Sequence, residues 1–198
     1  AALAATLERI LEVGGEQIDV LKRLALVCSK LGQDGKATEA LSRAVDASLA
    51  LGHLAEARLI CEAAIELDPA SLPLRTRLAA VANREGDRPT AIAQYRAATD
   101  LARGMGDGET AHQMLLQLRK LRPDDISVRL ELADLAEQSG DVALDAIVRD
   151  LVHFAVRTKN YGIALDRARQ RVQLAAAGVA FEPRNELVEL LRRMGDHA

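Results

Sequence analysis

The sequence contains no tryptophan, and only two tyrosines and two phenylalanines among its 198 residues. A core of stacked aromatic rings is therefore excluded, and whatever packs inside must be aliphatic. Two cysteines, Cys28 and Cys61, are too few for a disulfide-stapled scaffold. Both fall on apolar helix faces, so we expect buried free thiols, a reducing compartment and a cytoplasmic location. Five prolines and 13 glycines exclude collagen-like and low-complexity chains. No apolar run approaches the roughly 20 residues that a spanning helix needs, so no membrane insertion is expected. The net charge of −3 lacks the cationic excess of a phosphate-backbone binder, and nucleic acid is not an expected partner. The chain opens on Ala1 with an uncharged, helical Ala-Ala-Leu-Ala-Ala rather than a basic leader, and is taken as a piece of a longer protein.

What is present is alanine (36), leucine (31) and arginine (21, against five lysines). Alanine and leucine are strong helix formers, so the chain reads as all-α. Small alanines at the crossings let helix axes approach to about 8 Å.

The same characters recur 54 residues apart when 17–69, 71–123 and 125–177 are set in register. The columns Leu24/Leu78/Leu132, Ala25/Ala79/Ala133, Cys28/Ala82/Ala136 and Gly32/Gly86/Gly140 mark the first helix of each unit. Ala37/Ala91 and Ala44/Ala98/Val152 mark the second, and Ala57, Ala111 and Ala164 the third, with one residue lost before Ala164. Glycines alternate at spacings of 20 and 34: Gly32, Gly52, Gly86, Gly106, Gly140. Each unit therefore holds three helices: Ile18 to Leu31, Gly35 to Leu51 and Leu54 to Leu67; Leu72 to Glu85, Arg88 to Arg103 and Glu109 to Leu121; Ile126 to Ser139, Val142 to Thr158 and Tyr161 to Ala176. Leu3 to Val13 within residues 1–16, and Pro183 to Met194 within 183–194, add single amphipathic helices, about 11 in all, in one repeat domain over 1–198. Glycine can turn the chain after a helix, Ser71 and Asp125 can cap free amides, and short connections force antiparallel neighbours.

Chemistry is sparse. His53, His112, His153 and His197 show no metal-binding spacing, so no metal is expected. Gly104-Met105-Gly106-Asp107-Gly108 follows a helix and lacks a Gly-Lys-Ser/Thr ending, so it reads as a turn, not a phosphate cradle. Asp124-Asp125 reads as an N-cap pair, and Tyr95 and Tyr161 as packing residues. No catalytic residue and no cofactor is expected.

The columns resemble the tetratricopeptide repeat (TPR) family. The second-helix signature stands as Gly52, Ala57, Cys61, Ala64, Pro69, as Gly106, Ala111, Leu115, Leu118, Pro123, and as Gly86, Ala91, Tyr95, Ala98. The first-helix pair stands as Leu24-Ala25, Leu78-Ala79 and Leu132-Ala133. The family repeats at 34 throughout, whereas here the middle helix of each triplet serves two pairs. The resemblance implies a right-handed α-α superhelix and a scaffold or adaptor that docks a partner protein. In bacteria, to which the arginine-rich composition points, similar arrays serve secretion, pilus, motility or polarity machinery and sometimes recruit a small GTPase. Rival readings are a regulator that binds a peptide or small ligand and gates an effector domain, and a self-assembling structural module. The 183–194 helix mixes Glu186, Glu189, Arg192 and Arg193 with leucines as a cap would, so a monomer is expected.

Net charge by unit is −2, +4 and −1. If the first helices line a concave face, as the resemblance implies, Lys22, Arg23, Lys30, Arg77, Asn83 and Arg84 form a positive stripe. Beside it Glu131, Asp134 and Glu137 form a negative one. An acidic partner segment would be steered to the former. Leu26, Ala80 and Asp134 stand where a chaperone-tail clamp of the family needs asparagine, so that ligand is not expected.

Overall fold

The computed structural model describes residues 2–140, 143–176 and 192. Those residues form ten helices: α1 (Ala2–Gly14), α2 (Ile18–Lys30), α3 (Asp34–Ala50), α4 (Leu54–Leu67), α5 (Leu72–Glu85), α6 (Arg88–Gly104), α7 (Gly108–Leu121), α8 (Ile126–Ser139), α9 (Leu144–Arg157) and α10 (Tyr161–Ala176). The fold is all-α, and no strand occurs among the described residues. Helices α2, α5 and α8 start 54 residues apart, as do α3 and α6, and α4 and α7. The expected helix over Pro183 to Met194, and the expected start at Val142, lie outside the described residues.

The turns carry the same period. Gly106 adopts φ +74, and the amide of Asp107 reaches back to the Ala102 carbonyl at 2.9 Å. This closes the six-residue loop that ends a helix on a left-handed residue. Fifty-three residues on, Lys159 takes that conformation (φ +60), and Asn160 reaches the Ala155 carbonyl at 2.8 Å. The one-residue deletion thus moves the turn without abolishing it, although a non-glycine residue must carry the positive φ.

Caps match the expectations in part. Asp125 accepts from the Ser127 amide at 2.9 Å, but Ser71 makes no side-chain cap; its carbonyl accepts from the Arg75 amide instead. Two aspartates not foreseen as caps act as such. Asp87 accepts from the Thr90 amide (3.2 Å) and Asp107 from the Thr110 amide (3.0 Å). The pattern Gly-Asp-x-x-Thr precedes both helices in the sequence.

The contacts divide the chain into two compact units, residues 1–114 and 115–198, with the boundary inside α7. In the first, successive helices from α1 to α6 pack on one another, and turns of two to four residues make them antiparallel. Alternate helices are also tied: Lys22 on α2 to Glu56 on α4 (3.1 Å), Arg77 on α5 to Asp46 on α3 (2.9 Å), and Thr76 on α5 to the Met114 sulfur on α7 (3.7 Å). The helices therefore stand in two staggered rows, α2 and α4 in one, α3, α5 and the start of α7 in the other. The interior is built from the repeated columns: Leu24, Leu78, Ala25, Ala79, Cys28, Ala82, Ala37, Ala44, Ala91 and Ala98 are all buried. Small residues at every crossing hold the axes close.

In the second unit α8 packs on α9 and α9 on α10 around Ala133, Val148, Leu151, Val152, Ala155, Ala164 and Ala168. The ties between alternate helices recur, from Arg119 on α7 to Asp150 on α9 and from Arg167 on α10 to Asp134 on α8.

Candidate functional site

The charged residues singled out in the sequence are not gathered into one stripe. Lys22, Arg23 and Lys30 lie on α2, in the row shared with α4, whereas Arg77, Asn83 and Arg84 lie on α5, in the row shared with α3. The reason is parity: a unit of three helices in an array of two alternating rows sends each successive first helix to the opposite row. Several of these charges also meet partners within the chain. Lys22 pairs with Glu56, Arg77 places Nε and Nη2 each 2.9 Å from the Asp46 carboxylate, and Asp134 accepts from Arg167, which also approaches Glu137 at 3.9 Å. Glu131 and Asp134 are half-buried on α8 in the second unit, and Arg23, Lys30, Asn83 and Arg84 are exposed.

The structure brings together a feature that sequence reading missed. Between α2 and α4 runs a groove of about 620 Å³, floored by Ala25, Leu41 and Ile60 and walled by Leu26, Leu59, Ala63 and Leu67. Leu26 and Leu59 stand 57% and 67% exposed on its rims. The Lys22–Glu56 pair closes one end, and Glu66 stands at the other.

The second unit holds the register-equivalent groove, between α8 and α10, lined by Leu130, Glu137, Ile163, Asp166, Arg167 and Gln170. In the 54-residue register, with the one-residue shift before α10, Asp134 stands for Leu26, Asp166 for Leu59 and Gln170 for Ala63. Leu130 and Ile163 stand for Lys22 and Glu56. The two grooves have opposite chemistry: one is apolar in the middle and ionic at its end, the other apolar at that end and ionic in the middle. Exposed leucines are thus not something this fold requires at those positions. Every large hydrophobic side chain exposed among the described residues belongs to residues 3–105. The signal was present in the sequence as the column Leu26/Ala80/Asp134, but one column does not reveal which helix faces it.

Other polar groups hold the frame. The Arg58 guanidinium lies within 3.0 Å of Glu62, Glu85 and Asp87, which raises its pKa further and ties α4 to the turn before α6. Hydrogen bonds from the Thr90 side chain and amide, then from Arg58, hold the Asp87 carboxyl below the usual carboxylate range, and Thr110 does the same for Asp107. Tyr95 is buried, which pushes its phenol above the ordinary value, while Tyr161 is half-buried. Cys28 and Cys61 are buried and free, and burial pushes the Cys61 thiol up to about 12. Among the described residues no cluster of three potential ligands could hold a metal ion, and no helix is long and apolar enough to cross a membrane.

No family model and no curated protein matches the chain. Similar solved structures include the nearly identical TPR-like repeats of a kinesin light chain from Podosopora anserina, at 16% identity over 98% of this chain and 93% of that one, with a TM-score of 0.44. The C-terminal part of a TPR repeat-containing protein from Cytophaga hutchinsonii is 11% identical over 87% and 82%, with a TM-score of 0.34. PilF of Pseudomonas aeruginosa is 19% identical over 83% and 87%, with a TM-score of 0.33. The chain is thus similar to solved TPR and TPR-like helix arrays along most of its length.

Proposed function

We propose that this chain is a non-catalytic protein-interaction module that docks a partner protein on the exposed face of its first unit. The observation that carries the reading is the α2/α4 groove: leucines face solvent where the equivalent groove of the same chain carries aspartates. A contiguous apolar surface rimmed by polar groups is kept exposed at a cost in solubility, and the common reason is a partner. The free, buried thiols support a reducing compartment and so a cytoplasmic adaptor, within which a role in bacterial secretion, pilus, motility or polarity machinery is the narrower proposal. An acidic partner segment is a second, electrostatic contribution, through exposed Arg23 and Lys30 on α2, the helix that forms one wall of the groove.

The test is site-specific photo-crosslinking in the source cell. A photoreactive residue at 59 should capture one partner that the same residue at 166 does not. The captured protein, purified, should then form a stoichiometric complex that weakens with salt when Arg23 is present and less so with Arg23→Glu. Equal capture from both positions would remove the groove from the interface.

A further inference from the structure

The groove has a shape and polarity that specify its occupant. Helices α2 and α4 both run antiparallel to α3, so they are parallel to each other, and both C-termini lie at the end marked by Glu66. That end therefore combines the Glu66 carboxylate and two negative dipole ends with one opposing cation, Lys30 in the last turn of α2. The α4 wall, from Ala55 to Leu67, is about 18 Å long at 1.5 Å per residue, the length of three helical turns. Between its two ends the lining offers one hydroxyl, Ser29, among aliphatic side chains, so an extended strand would bury more backbone donors and acceptors than the groove can receive. A helix satisfies its own backbone and presents only side chains.

We propose that the α2/α4 groove receives one amphipathic helix of a partner protein. That helix presents leucine-like side chains at i, i+4 and i+7 to Leu67, Leu59 and Leu26, and lies antiparallel to α2 and α4 with its N-terminus and a basic residue at the Glu66 end. This rests on the interaction reading above and adds the class and direction of the bound segment. The orientation follows from charge: a helix N-terminus and a cation both favour the anionic end, whereas the neutral Lys22–Glu56 pair at the other end has no such preference.

The test uses the full chain and labelled 16-residue peptides on an alanine-glutamine helical background, with leucine at positions 4, 8 and 11 and arginine at position 2. Fluorescence anisotropy should show saturable binding of this peptide. The affinity should fall about tenfold or more when the leucines become glutamine, or when Leu26→Asp or Leu59→Asp is introduced. These two variants copy the residues that the chain itself carries at Asp134 and Asp166, and Leu59→Gln is a milder companion; unchanged melting curves for them assign the loss to the groove. Moving the arginine to position 15 should weaken binding, and Glu66→Gln should erase the difference between the two peptides.

The proposal is overturned if a proline-interrupted peptide of the same composition binds as well, since the groove then takes an extended chain and only the interaction reading survives. It is overturned equally if none of the peptides binds, or if Leu26→Asp and Leu59→Asp leave binding intact; the crosslinking result then judges the interaction reading independently. A concentration-dependent dimer abolished by Leu26→Asp would make the occupant a second copy of this chain and also overturn it.

Discussion

Arg75 donates from Nε and Nη2 to the carbonyl oxygen of Pro69, at 2.9 and 2.8 Å, clamping the start of α5 to the loop that precedes it. Fifty-four residues on, Arg129 donates to the Pro123 carbonyl at 2.6 Å while its guanidinium lies 3.8 Å from the Phe154 ring centroid. The device recurs with the period, and its purpose is local: it gives a partner to a loop carbonyl two residues past the end of the preceding helix. Lysine cannot reproduce a forked donor. Arg75→Lys and Arg75→Ala should each destabilise the protein by about 1 kcal/mol, measured by urea denaturation. Loss in the alanine variant alone would assign the effect to the packed stem rather than to the fork.

The small-residue crossings have no spare volume. Ala91 and Ala98 are completely buried on α6. Ala91→Leu or Ala98→Leu should overpack the crossing and cost about 1–3 kcal/mol by calorimetry. Leu78→Asp, which leaves a buried carboxylate without a partner, should cost more. Unchanged melting temperatures for both alanine variants would contradict the packing described.

Acid should loosen two helix starts. The Asp87 and Asp107 carboxyls are held below the ordinary range by bonds from Thr90 and Thr110. A depressed folded-state pKa means that these caps contribute fully above the unfolded-state value and lose their contribution as pH falls through the folded one. The melting temperature of the native chain should therefore fall between neutral pH and about pH 3 more steeply than that of an Asp87→Ala, Asp107→Ala double variant. Parallel curves would show that neither cap contributes to folding.

Cys61 should be inert in the folded protein. Its thiol is pushed up to about 12 by burial, so at neutral pH almost no thiolate is present, and the sulfur is closed to solvent. A water-soluble disulfide reagent should label it only at the rate of opening, rising with urea. Rapid stoichiometric labelling without denaturant would contradict the buried position.

Removing the exposed leucines should not cost stability. Leu26→Asp and Leu59→Asp should change the free energy of unfolding by no more than about 0.5 kcal/mol, as for ordinary surface positions. A large loss would show that these leucines hold α2 to α4, and would withdraw the argument drawn from Asp134 and Asp166.

Helix bounds, left-handed turns and the small-residue crossings were legible from the residues alone, because each depends on neighbours within a few positions and repeats every 54. Leu72 to Glu85 and Leu54 to Leu67 were read to the residue, as was the deletion that leaves Lys159 with a positive φ. A helix forms by bonds between residues four apart, and a turn by the φ that one residue tolerates; both are properties of short segments. Row membership is not. Lys22 and its register equivalent Thr76 each reach the next-but-one helix, α4 and α7, yet α2 and α5 stand in opposite rows, because antiparallel packing alternates while the unit counts three. Only the assembled helices could decide that, and with it that Leu26 and Leu59 would border one apolar groove while Asp134 and Asp166 stand at the equivalent positions of an ionic one.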